Sequence, residues 1–568
     1  MPKIPFWVFI LLAVLYFSAI RIDTMDVDAS QYAEMSREMA QSKDYIHLYD
    51  RGHDYLDKPP FLFWASSTSM RIFGANNFGF KFPSILFALW AIYATYRLAK
   101  LLYDEETGRI AALVLGTCQG VFLMTNDIRC DTILMSWVIT AVWLIQEWVV
   151  NRRLLYLLGG AVCIAFGMMT KGPIAIMVPV FCFISDWALK RQWNMLFKPQ
   201  YLLAIIVIGI LLIPMSIGLY QQYDLHPEKL IDGKSHVSGL RFFFWTQSFG
   251  RITGESPWSN GADISFLLQS MLWAFLPWIF LFLPALVLNI ANLFKQKFRL
   301  QPRQEWVSTG GFILAYLALG SSHYQLPHYI FVAFPLASIM TAKLLVDLIN
   351  GKYGKLYKFM KPFMITVTAL LFVGALLLLT VVFYTGVMGI IFWAEAVIVW
   401  IVIAYRKKIT GKILWLPAAG IMLVNIFVTN HFYYQLLGYQ LGSNLGRFIK
   451  EQNISAKKVY CYRMHDPLNA LPFYAQRVFT TFDTTTAYLH ASSYVKTQIG
   501  NEVVLKPERK IDFVLTTDEG VKLLHQNGYD FDTLVHGVHF KVSELTGDFL
   551  NSATRSKAIS NYYFLHLK

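Results

Sequence analysis

The chain has 568 residues, of which 55% are apolar and 15% are charged, and its net charge is +14. Because soluble proteins usually carry about 25% charged residues, this composition excludes an ordinary soluble enzyme, a disordered protein and a conventional nucleic-acid-binding protein. The five cysteines show no paired spacing, which argues against a disulfide framework and a zinc site.

Apolar runs long enough to enter a bilayer recur along most of the chain. The first run begins after a single lysine and is followed by no small-residue cleavage site, so we expect it to remain as an anchor. In chain order, the thirteen predicted spans cover about residues 6–20, 80–100, 109–126, 132–150, 154–169, 173–189, 201–220, 264–292, 306–320, 327–348, 362–384, 387–405 and 413–430.

Every second connection between these runs is basic. Because short basic loops remain in the cytoplasm, the alternation predicts a cytoplasmic N-terminus and, after thirteen crossings, a C-terminus outside. The longer connections at about 21–80 and 221–263 then also lie outside. The basic connections contain Arg97, Lys100 and Arg109; Arg152 and Arg153; Lys190, Arg191 and Lys198; Lys295, Lys297, Arg299 and Arg303; Lys352, Lys355, Lys358 and Lys361; and Arg406, Lys407, Lys408 and Lys412.

The first outer connection is predicted to contain two helices, at 28–41 and 59–73. In the first, Tyr32, Met35 and Met39 recur at helical spacing and form an apolar stripe. The second opens with prolines and is nearly all apolar on one side. Both helices are expected to lie in the plane of the membrane interface, which suits a substrate whose reactive part is at headgroup level.

The last part of the chain, about 431–568, has the composition of a soluble domain, with 15 basic and 12 acidic residues. Short apolar runs at 457–462 and 511–517 alternate with helix-like stretches at 466–476 and 518–529. This pattern predicts a small α/β domain. Most of the positive charge therefore belongs to the membrane part, where it is a topology signal.

Polar residues from five separate connections gather on the predicted outer face. Placing an ionisable side chain near membrane depth costs free energy, so we treat each such residue as a candidate functional residue. Carboxylates accompanied by lysine and arginine indicate a site for an anionic, phosphorylated group. The set comprises Asp26, Asp28, Asp57, Lys58, Asn126, Asp127, Arg129, Asp131, Lys171, Arg251, Glu255, His323, Tyr324 and His328.

Each member of this set could also have a purely structural role. Asp28 begins a stretch that resembles a capping box. The side chain of Lys58 could reach the lipid headgroups. Asp131 could pair with Arg129 or cap its helix, and Lys171 could be a helix-end lysine. His323 and His328 could be headgroup-level residues without a chemical role.

Ordered motifs carry a family resemblance over about residues 1–345. The stretches DASQYAEMSREM (28–39), DKPP (57–60) and FGANNFG (73–79) resemble the first periplasmic loop of bacterial aminoarabinose lipid A transferases. Those enzymes belong to the GT-C superfamily, and the protein O-mannosyltransferases are relatives. Further matches are RCD (129–131), MTKGP (169–173), FWTQSFGR (244–251) and LPHYIF (326–331).

The resemblance implies a mainly α membrane protein of the GT-C type in the bacterial inner membrane. It would contain a bundle of about thirteen transmembrane helices at 1–430, with interfacial helices in the first outer loop, and an extracytoplasmic α/β domain at 431–568. The implied reaction is transfer of a sugar from a polyprenyl (undecaprenyl) phosphate to a lipid A-like acceptor, with inversion. No P-loop or dinucleotide motif is present, and no nucleic-acid partner is expected.

The resemblance also implies residue roles. Asp28 matches the catalytic aspartate, which orients or deprotonates the acceptor. Lys58 and Lys171 match positions that hold the donor phosphate, and Arg251 is a third candidate. Asp131 matches an acidic position that holds a basic neighbour. Asp57 stands where relatives have Glu and is a candidate ligand for a divalent metal. Candidate substrate-binding residues, besides Asp57, are Arg129, Glu255, His323 and His328.

The sequence departs from the family at several of these positions. Ala29 follows Asp28 where relatives have Glu, which argues against a carboxylate pair there. His328 replaces a threonine, and Asn126, Asp127 and Arg129 also differ. The sugar and acceptor pocket can therefore differ too.

Two different functions remain open. A protein O-glycosyl(mannosyl)transferase would use the same donor and a serine or threonine acceptor. A flippase or transporter for a lipid-linked sugar would more often show inverted repeats and midplane charges, whereas this sequence shows no repeated half and gathers its charges at one face.

Overall fold

The computed structural model describes residues 4–231, 234–256, 258–384, 386–406, 411–464, 468–479, 482–483, 494–499, 502–507 and 512–568. Lys407 and Lys408 of the last basic connection lie outside these ranges, as do residues 466, 467 and 511 of the predicted C-terminal elements. The described chain is mainly helical, and its strands are concentrated in the C-terminal part.

The helices before Leu441 follow the apolar runs and their connections. They are α1 Phe6–Ser18, α2 Asp28–Ser42, α3 Phe61–Phe73, α4 Asn77–Leu102, α5 Glu105–Gly116, α6 Gln119–Asn126, α7 Cys130–Asn151, α8 Leu154–Lys171, α9 Ile174–Leu189, α10 Gln200–Leu219, α11 Gly239–Arg241, α12 Phe249–Thr253, α13 Phe266–Ala274, α14 Ile279–Lys295, α15 Val307–Gly320, α16 Phe334–Ile349, α17 Gly354–Leu377, α18 Gly386–Tyr405, α19 Lys412–Phe427 and α20 Tyr433–Leu437. A short hairpin, β1 Tyr49–Asp50 and β2 His53–Asp54, lies between α2 and α3.

Eight helical segments of the described chain are long and apolar enough to cross a membrane. The bent pair α5 and α6, which turns by 52°, meets the same test as a unit, and four further apolar helices are shorter. This confirms the predicted helical membrane architecture. The predicted run at 264–292 is not one helix, because it divides into α13 and α14 around Pro277, which has no N–H to continue the helical hydrogen bonds.

The helices differ in how far other helices enclose them, and α16 and α18 lie at the two extremes of the long apolar segments. The span that contains α16 is almost entirely enclosed by other helices, and α16 packs against α5, α14 and α15. Most of α18 remains on the surface. The C-terminal end of α15 and the short 3₁₀ segment Pro327–Ala333 before α16 come together at the same end of the bundle, where the candidate site lies.

The first outer connection folds onto protein. Tyr32, Met35 and Met39 of α2 are buried in one cluster with Leu62 of α3 and Phe473 of the C-terminal part. Protein therefore covers the apolar stripe of α2, whereas the sequence suggested a helix resting on the membrane interface. The C-terminal part supplies a covering surface that the local pattern does not reveal.

The C-terminal part forms the predicted α/β structure. Its helices are α21 Leu441–Glu451, α22 Ala470–Ala475, α23 Asp518–Gln526, α24 Gly547–Leu550 and α25 Arg555–Ala558, and its strands are β3 Val459–Tyr462, β4 Phe482–Asp483, β5 Tyr494–Ile499, β6 Glu502–Pro507, β7 Phe513–Thr517, β8 Phe531–His539 and β9 Ser560–Leu567.

These strands form one mixed sheet and one hairpin. The sheet has the order β4-β3-β7-β9-β8, in which β3 is parallel to β4 and β7, and β9 is antiparallel to β7 and β8. The hairpin consists of β5 and β6. Leu445 and Ile449 of α21 pack with Cys461 and Leu515 of the central strands.

Candidate active site

Three basic side chains from distant parts of the sequence line one cavity. Lys58 precedes α3, Lys171 ends α8, and Arg251 belongs to α12 in the second long connection. The cavity is open, and the space at the site is about 830 Å³ when its open mouth is included. Its remaining wall is largely apolar and includes Pro59, Leu134, Ile174, Met177, Phe249, Ile252 and Leu319. The structure thus brings together the three residues that the sequence assigned to one phosphate group.

Lys171 is held at the cavity by a buried carboxylate. Helix α8 ends at this residue because Gly172 follows with a φ of +91°, which favours glycine, and Pro173 then occupies the N-cap position of α9. The Lys171 Nζ lies 2.5 Å from Asp131 Oδ1 and 4.0 Å from the centroid of the Tyr329 ring. His328 Nε2 lies 3.7 Å from the other oxygen of Asp131. Asp131 therefore holds Lys171, and it does not pair with Arg129.

Arg251 is positioned by aromatic residues. Its Nη1 donates a hydrogen bond of 2.8 Å to the Tyr329 hydroxyl, and its guanidinium lies 5.3 Å from the rings of Trp258 and Tyr324. The backbone N–H of His323 donates to the Arg251 carbonyl at 2.9 Å. Among the described contacts, Arg251 Nε is buried and has no hydrogen-bond acceptor, so this N–H is not used by the described part of the chain.

Lys58 is paired with the residue before it. Its Nζ lies 2.5 Å from Asp57 Oδ2, and Gln247 Nε2 donates to Asp57 Oδ1 at 2.7 Å. Burial alone raises the pKa of Asp57, but the charges of Lys58 and Arg251 and these hydrogen bonds outweigh it and hold the pKa below its ordinary value. Both members of the pair are therefore charged near neutral pH.

Both oxygens of Asp57 are thus occupied by protein donors. Over the ranges that the structure describes, no group of three His, Cys, Asp or Glu side chains is placed to hold a metal ion.

Asp28 lies in the first turn of α2 and pairs with Arg129. Arg129 precedes α7 and also contacts Asp127, with its Nη2 and Nε at 2.8 and 3.0 Å from Oδ2. The capping-box interpretation of Asp28 is wrong, because Val27 occupies the N-cap position and α2 has no side-chain cap. Gln31, the last residue of that motif, donates to Asp50 instead.

The Asp28–Arg129 pair belongs to the same electrostatic cluster as the cavity cations. Tyr55 is partly buried, and its pKa is raised first by burial and then by nearby charges that include Asp57 and Asp28. Tyr324 is similarly within range of Arg251, Lys58 and Asp28. The candidate base and two of the candidate phosphate ligands, Lys58 and Arg251, therefore act electrostatically on the same tyrosine, Tyr324.

Glu255 and His323 lie at the edge of this arrangement. Glu255 accepts hydrogen bonds from Arg241 at 3.3 Å and from the Trp245 indole at 3.0 Å, and it is not part of the cavity wall. The ring of His323 is exposed and its Nδ1 lies 3.0 Å from the Arg251 carbonyl oxygen. Lys58 is largely buried in its pair with Asp57 rather than extended to the surface.

Sequence reasoning did not assign roles to three residues that organise this site. Tyr329 contacts both Lys171 and Arg251, and Gln247 donates a hydrogen bond to Asp57. Lys81 is completely buried and donates to the carbonyls of Ala19, Ile22 and Asn126 at 3.1, 2.8 and 3.0 Å. It thereby joins the segment before Asp28 to the segment before Arg129. Its location within an apolar run is the signal that could have identified it.

Comparisons with known proteins identify similar sequences and a similar fold. The family described as dolichyl-phosphate-mannose-protein mannosyltransferase matches residues 57–217. The undecaprenyl phosphate-alpha-4-amino-4-deoxy-L-arabinose arabinosyl transferase of Edwardsiella ictaluri is 27% identical over 337 residues, which are 58% of this chain and 56% of that protein. The enzyme of the same name from Photorhabdus laumondii is 26% identical over 331 residues, 57% of this chain and 56% of that protein. The match thus spans little more than half the length of these relatives.

The fold extends the similarity to nearly the whole chain. The crystal structure of ArnT from Cupriavidus metallidurans bound to undecaprenyl phosphate superposes with a TM-score of 0.73 and 16% sequence identity, over 99% of this chain and 97% of that one. The apo structure of the same protein gives a TM-score of 0.70 with the same coverage. The predicted resemblance to the aminoarabinose transferases is confirmed in sequence, and the fold is that of these structures.

Proposed function

We propose that the chain is an inverting GT-C glycosyltransferase that moves a sugar from a polyprenyl (undecaprenyl) phosphate to a lipid A-like or other envelope acceptor. The observation that supports this proposal most directly is the meeting of Lys58, Lys171 and Arg251 in one cavity with apolar walls. A polyprenyl phosphate combines one phosphate with a long hydrocarbon chain, and the cavity offers both kinds of surface. The named substrate of the sequence relatives has the same chemistry.

The three cations would act on the leaving group. As the bond between the anomeric carbon and the phosphate oxygen breaks, the phosphate takes the electron pair and gains charge. Fixed cations that already face this oxygen stabilise the transition state without reorganisation. Tyr329 supports this role, because it orients Arg251 through its hydroxyl and Lys171 through its ring. Asp131 and Asp57 would act as positioning residues for Lys171 and Lys58.

Asp28 would act on the acceptor. The acceptor oxygen forms the new bond to the anomeric carbon from the side opposite the phosphate, which inverts the configuration. Where the acceptor is a hydroxyl, its proton passes to Asp28. Where it is an ionised phosphate, Asp28 and Arg129 orient it. Arg129, His328 and the edge residues Glu255 and His323 are the candidates for sugar and acceptor contacts.

We further propose that the chain crosses the bacterial inner membrane thirteen times, with the N-terminus in the cytoplasm and a C-terminal domain at 431–568 outside. The eight long helical segments, the bent pair and the four shorter apolar helices each overlap one of the thirteen predicted spans, with α14 covering only the later part of the run at 264–292, and this overlap supports the proposal. The site lies on the same side as the C-terminal domain, since Gln440 and Ser543 contact the segment before Asp28. A transmembrane catalytic domain at 1–430 follows from the same assignment.

Mass spectrometry of envelope lipids tests the reaction. Cells that lack the protein, or that carry Asp28→Asn, should lose one sugar-sized increment from a lipid species, and the mass names the sugar and the acceptor. Asp44→Asn is the matched control, because Asp44 lies in the same connection but is bound only to His47 and its own turn. Full activity of Asp28→Asn would contradict the assigned role.

The second candidate is transfer to a protein hydroxyl with the same type of donor, which the match at 57–217 to the mannosyltransferase family favours. Unchanged lipids together with altered glycoproteins would support it. If both remain unchanged, transport of a lipid-linked sugar becomes the leading function. Labelling of cysteines introduced at residues 58, 171 and 251 then decides, because labelling from the cytoplasmic side would contradict the topology.

A further inference from the structure

The segment directly before Asp28 is held by the C-terminal domain. The side chain of Gln440 is fully buried and makes two hydrogen bonds to the backbone of this segment. Its Nε2 donates to the Thr24 carbonyl at 2.9 Å, and its Oε1 accepts from the Asp26 N–H at 2.8 Å. One amide group thus binds the chain on both sides of Met25, in the way that a neighbouring strand would.

Ser543 and Tyr474 make further hydrogen bonds to the same segment. Together with those of Gln440, these bonds between the C-terminal domain and residues 24–27 are called the grip. Ser543 accepts from the Val27 N–H at 3.1 Å through its hydroxyl and donates its own N–H to the Asp26 carbonyl at 3.2 Å. The Tyr474 hydroxyl accepts from the Thr24 N–H at 2.8 Å. The backbone N–H and carbonyl groups of Thr24 and Asp26, and the N–H of Val27, therefore all bond to the C-terminal domain.

The grip reaches Asp28 through the start of α2. The first hydrogen bonds at this helix end run from the Ser30 N–H to the Met25 carbonyl and from the Gln31 N–H to the Val27 carbonyl, at 3.1 and 3.2 Å. Residues 24–27 thus supply the frame on which the first turn is built, and Asp28 projects from that turn. Gln440 is more than four hundred residues away in the sequence, so the domain fixes this frame from outside the connection.

We propose that Gln440, assisted by Ser543, is a positioning residue that sets the location of Asp28 relative to the acceptor, and that this is a function of the C-terminal domain. The inference rests on the proposed glycosyl transfer. Displacement of a reacting group by about 1 Å can lower a rate by about 100-fold. Loss of the grip should therefore impair the step that uses Asp28. Donor binding should be spared, because Lys58, Lys171 and Arg251 lie on other elements that Gln440 does not touch.

The experiment replaces Gln440 by leucine, which keeps the volume and removes both hydrogen bonds. Transfer is measured in the purified full-length protein and expressed per donor-binding site, so that misfolded molecules do not count. The expected result is a rate that is about 10- to 100-fold lower, with the KM for the donor within about two-fold of wild type. Gln526→Leu is the control, since Gln526 is an exposed glutamine of the same domain, and it should behave as wild type.

A double variant separates positioning from general damage. If Gln440 acts through Asp28, adding Gln440→Leu to Asp28→Asn should lower the residual rate by less than about two-fold, because coupled residues are not additive. Equal losses in both backgrounds would overturn the proposal, as would an unchanged rate in Gln440→Leu. If Gln440→Leu folds poorly, Ser543→Ala is the alternative variant. It removes a single side-chain hydrogen bond and should give a smaller loss of the same kind.

Hydrogen exchange tests the grip without reference to activity. In Gln440→Leu the amides of residues 24–27 should exchange faster than in wild type, while the α7 and α8 peptides remain unchanged. If wild type transfers no sugar, the proposed function fails and this exchange result alone decides whether the domain fixes the segment. Unchanged exchange at residues 24–27 would contradict the inference even where transfer is confirmed.

Discussion

Replacement of Lys171 by methionine should lower both stability and donor affinity, for different reasons. Stability should fall because Asp131 loses its partner, and donor affinity should fall because the phosphate loses a cation. Lys171 is 16% exposed and Asp131 is 3% exposed, and the variant leaves this carboxylate with only His328 at 3.7 Å. Breaking a buried ion pair by removing one partner costs about 3–5 kcal/mol. Because Lys171 retains some solvent contact, we expect the lower end, about 3 kcal/mol, and a melting temperature that falls by several degrees.

The same change removes one positive charge of the protein from the proposed phosphate site. A unit charge about 4 Å from a phosphate oxygen contributes roughly 4 kcal/mol at an effective dielectric constant of about 20. Asp131 lies behind Lys171 and cancels part of this attraction. We therefore expect the affinity for a polyprenyl phosphate to fall by about 10- to 100-fold, which corresponds to about 1.4–2.7 kcal/mol.

The double variant Lys171→Met/Asp131→Asn distinguishes the two effects. A buried ion pair replaced by neutral groups of similar size is often neutral in stability, so the melting temperature should largely recover while donor affinity stays low. Lys190→Met is the matched control. Lys190 and Asp186 form a similarly buried pair at 2.7 Å at the C-terminal end of α9, and neither residue lines the cavity. That variant should lose stability and bind the donor normally.

The measurements are thermal unfolding in detergent and a donor-binding titration of each variant. Unchanged donor affinity in Lys171→Met would refute the assignment of Lys171 to the phosphate. Recovery of donor affinity in the double variant would show that the uncompensated Asp131, and not the missing cation, had impaired binding.

Three further changes give separate expectations. Tyr329→Phe loses the hydroxyl that orients Arg251, so kcat/KM should fall by about 10-fold, as expected for a charged hydrogen bond of about 1.5 kcal/mol. Burial raises the pKa of Asp26 from 3.8 to about 7. The native carboxyl therefore stays protonated while the unfolded one ionises, and wild type loses stability as the pH rises from about 4 to about 7. Asp26→Asn lacks this loss, so melting curves at pH 5 and pH 8 should show a growing advantage for the variant. Lys81→Met leaves three buried carbonyls without their donor and should lower the melting temperature by several degrees.

Each expectation has a result that would contradict it. Wild-type kcat/KM in Tyr329→Phe would mean that the aromatic rings alone orient Arg251. A melting-temperature difference for Asp26→Asn that is the same at pH 5 and pH 8 would show that the Asp26 carboxyl does not titrate in this range. A wild-type melting temperature in Lys81→Met would mean that water replaces the ammonium group at the three carbonyls.

The membrane architecture and the cavity cations were accessible from the sequence, because hydropathy and ordered motifs are local signals. The pairing of the charges was not. Arg129 and Asp131 lie two residues apart, which suggested a pair. In the structure Arg129 has an extended conformation before α7, whereas Asp131 lies in the first helical turn. Residues two apart at a helix start point in different directions, so Arg129 meets Asp28 and Asp131 meets Lys171.

Contacts between side chains and distant backbone groups were equally unpredictable from the sequence. Lys81 binds three carbonyls and Gln440 binds the backbone of residues 24–26. A carbonyl is present at every residue, so no residue pattern marks the ones that are bound. The stripe of α2 posed the related problem, because its spacing predicts an apolar neighbour without saying whether that neighbour is lipid or protein. The C-terminal domain, which covers it with Phe473, lies far away in the sequence.

The charges on the cavity wall are balanced with one exception, and the exception matches the proposed donor. Lys58 is neutralised by Asp57 and Lys171 by Asp131, each at 2.5 Å. Arg251 contacts aromatic rings and the Tyr329 hydroxyl, and the described part of the chain provides it with no ion pair. The wall therefore carries one net positive charge, while a sugar-bearing phosphodiester carries one negative charge. The released monophosphate carries between one and two, since its second pKa is about 6. Charge alone thus favours the product at least as much as the donor, so the site must obtain its preference for the donor from contacts to the sugar.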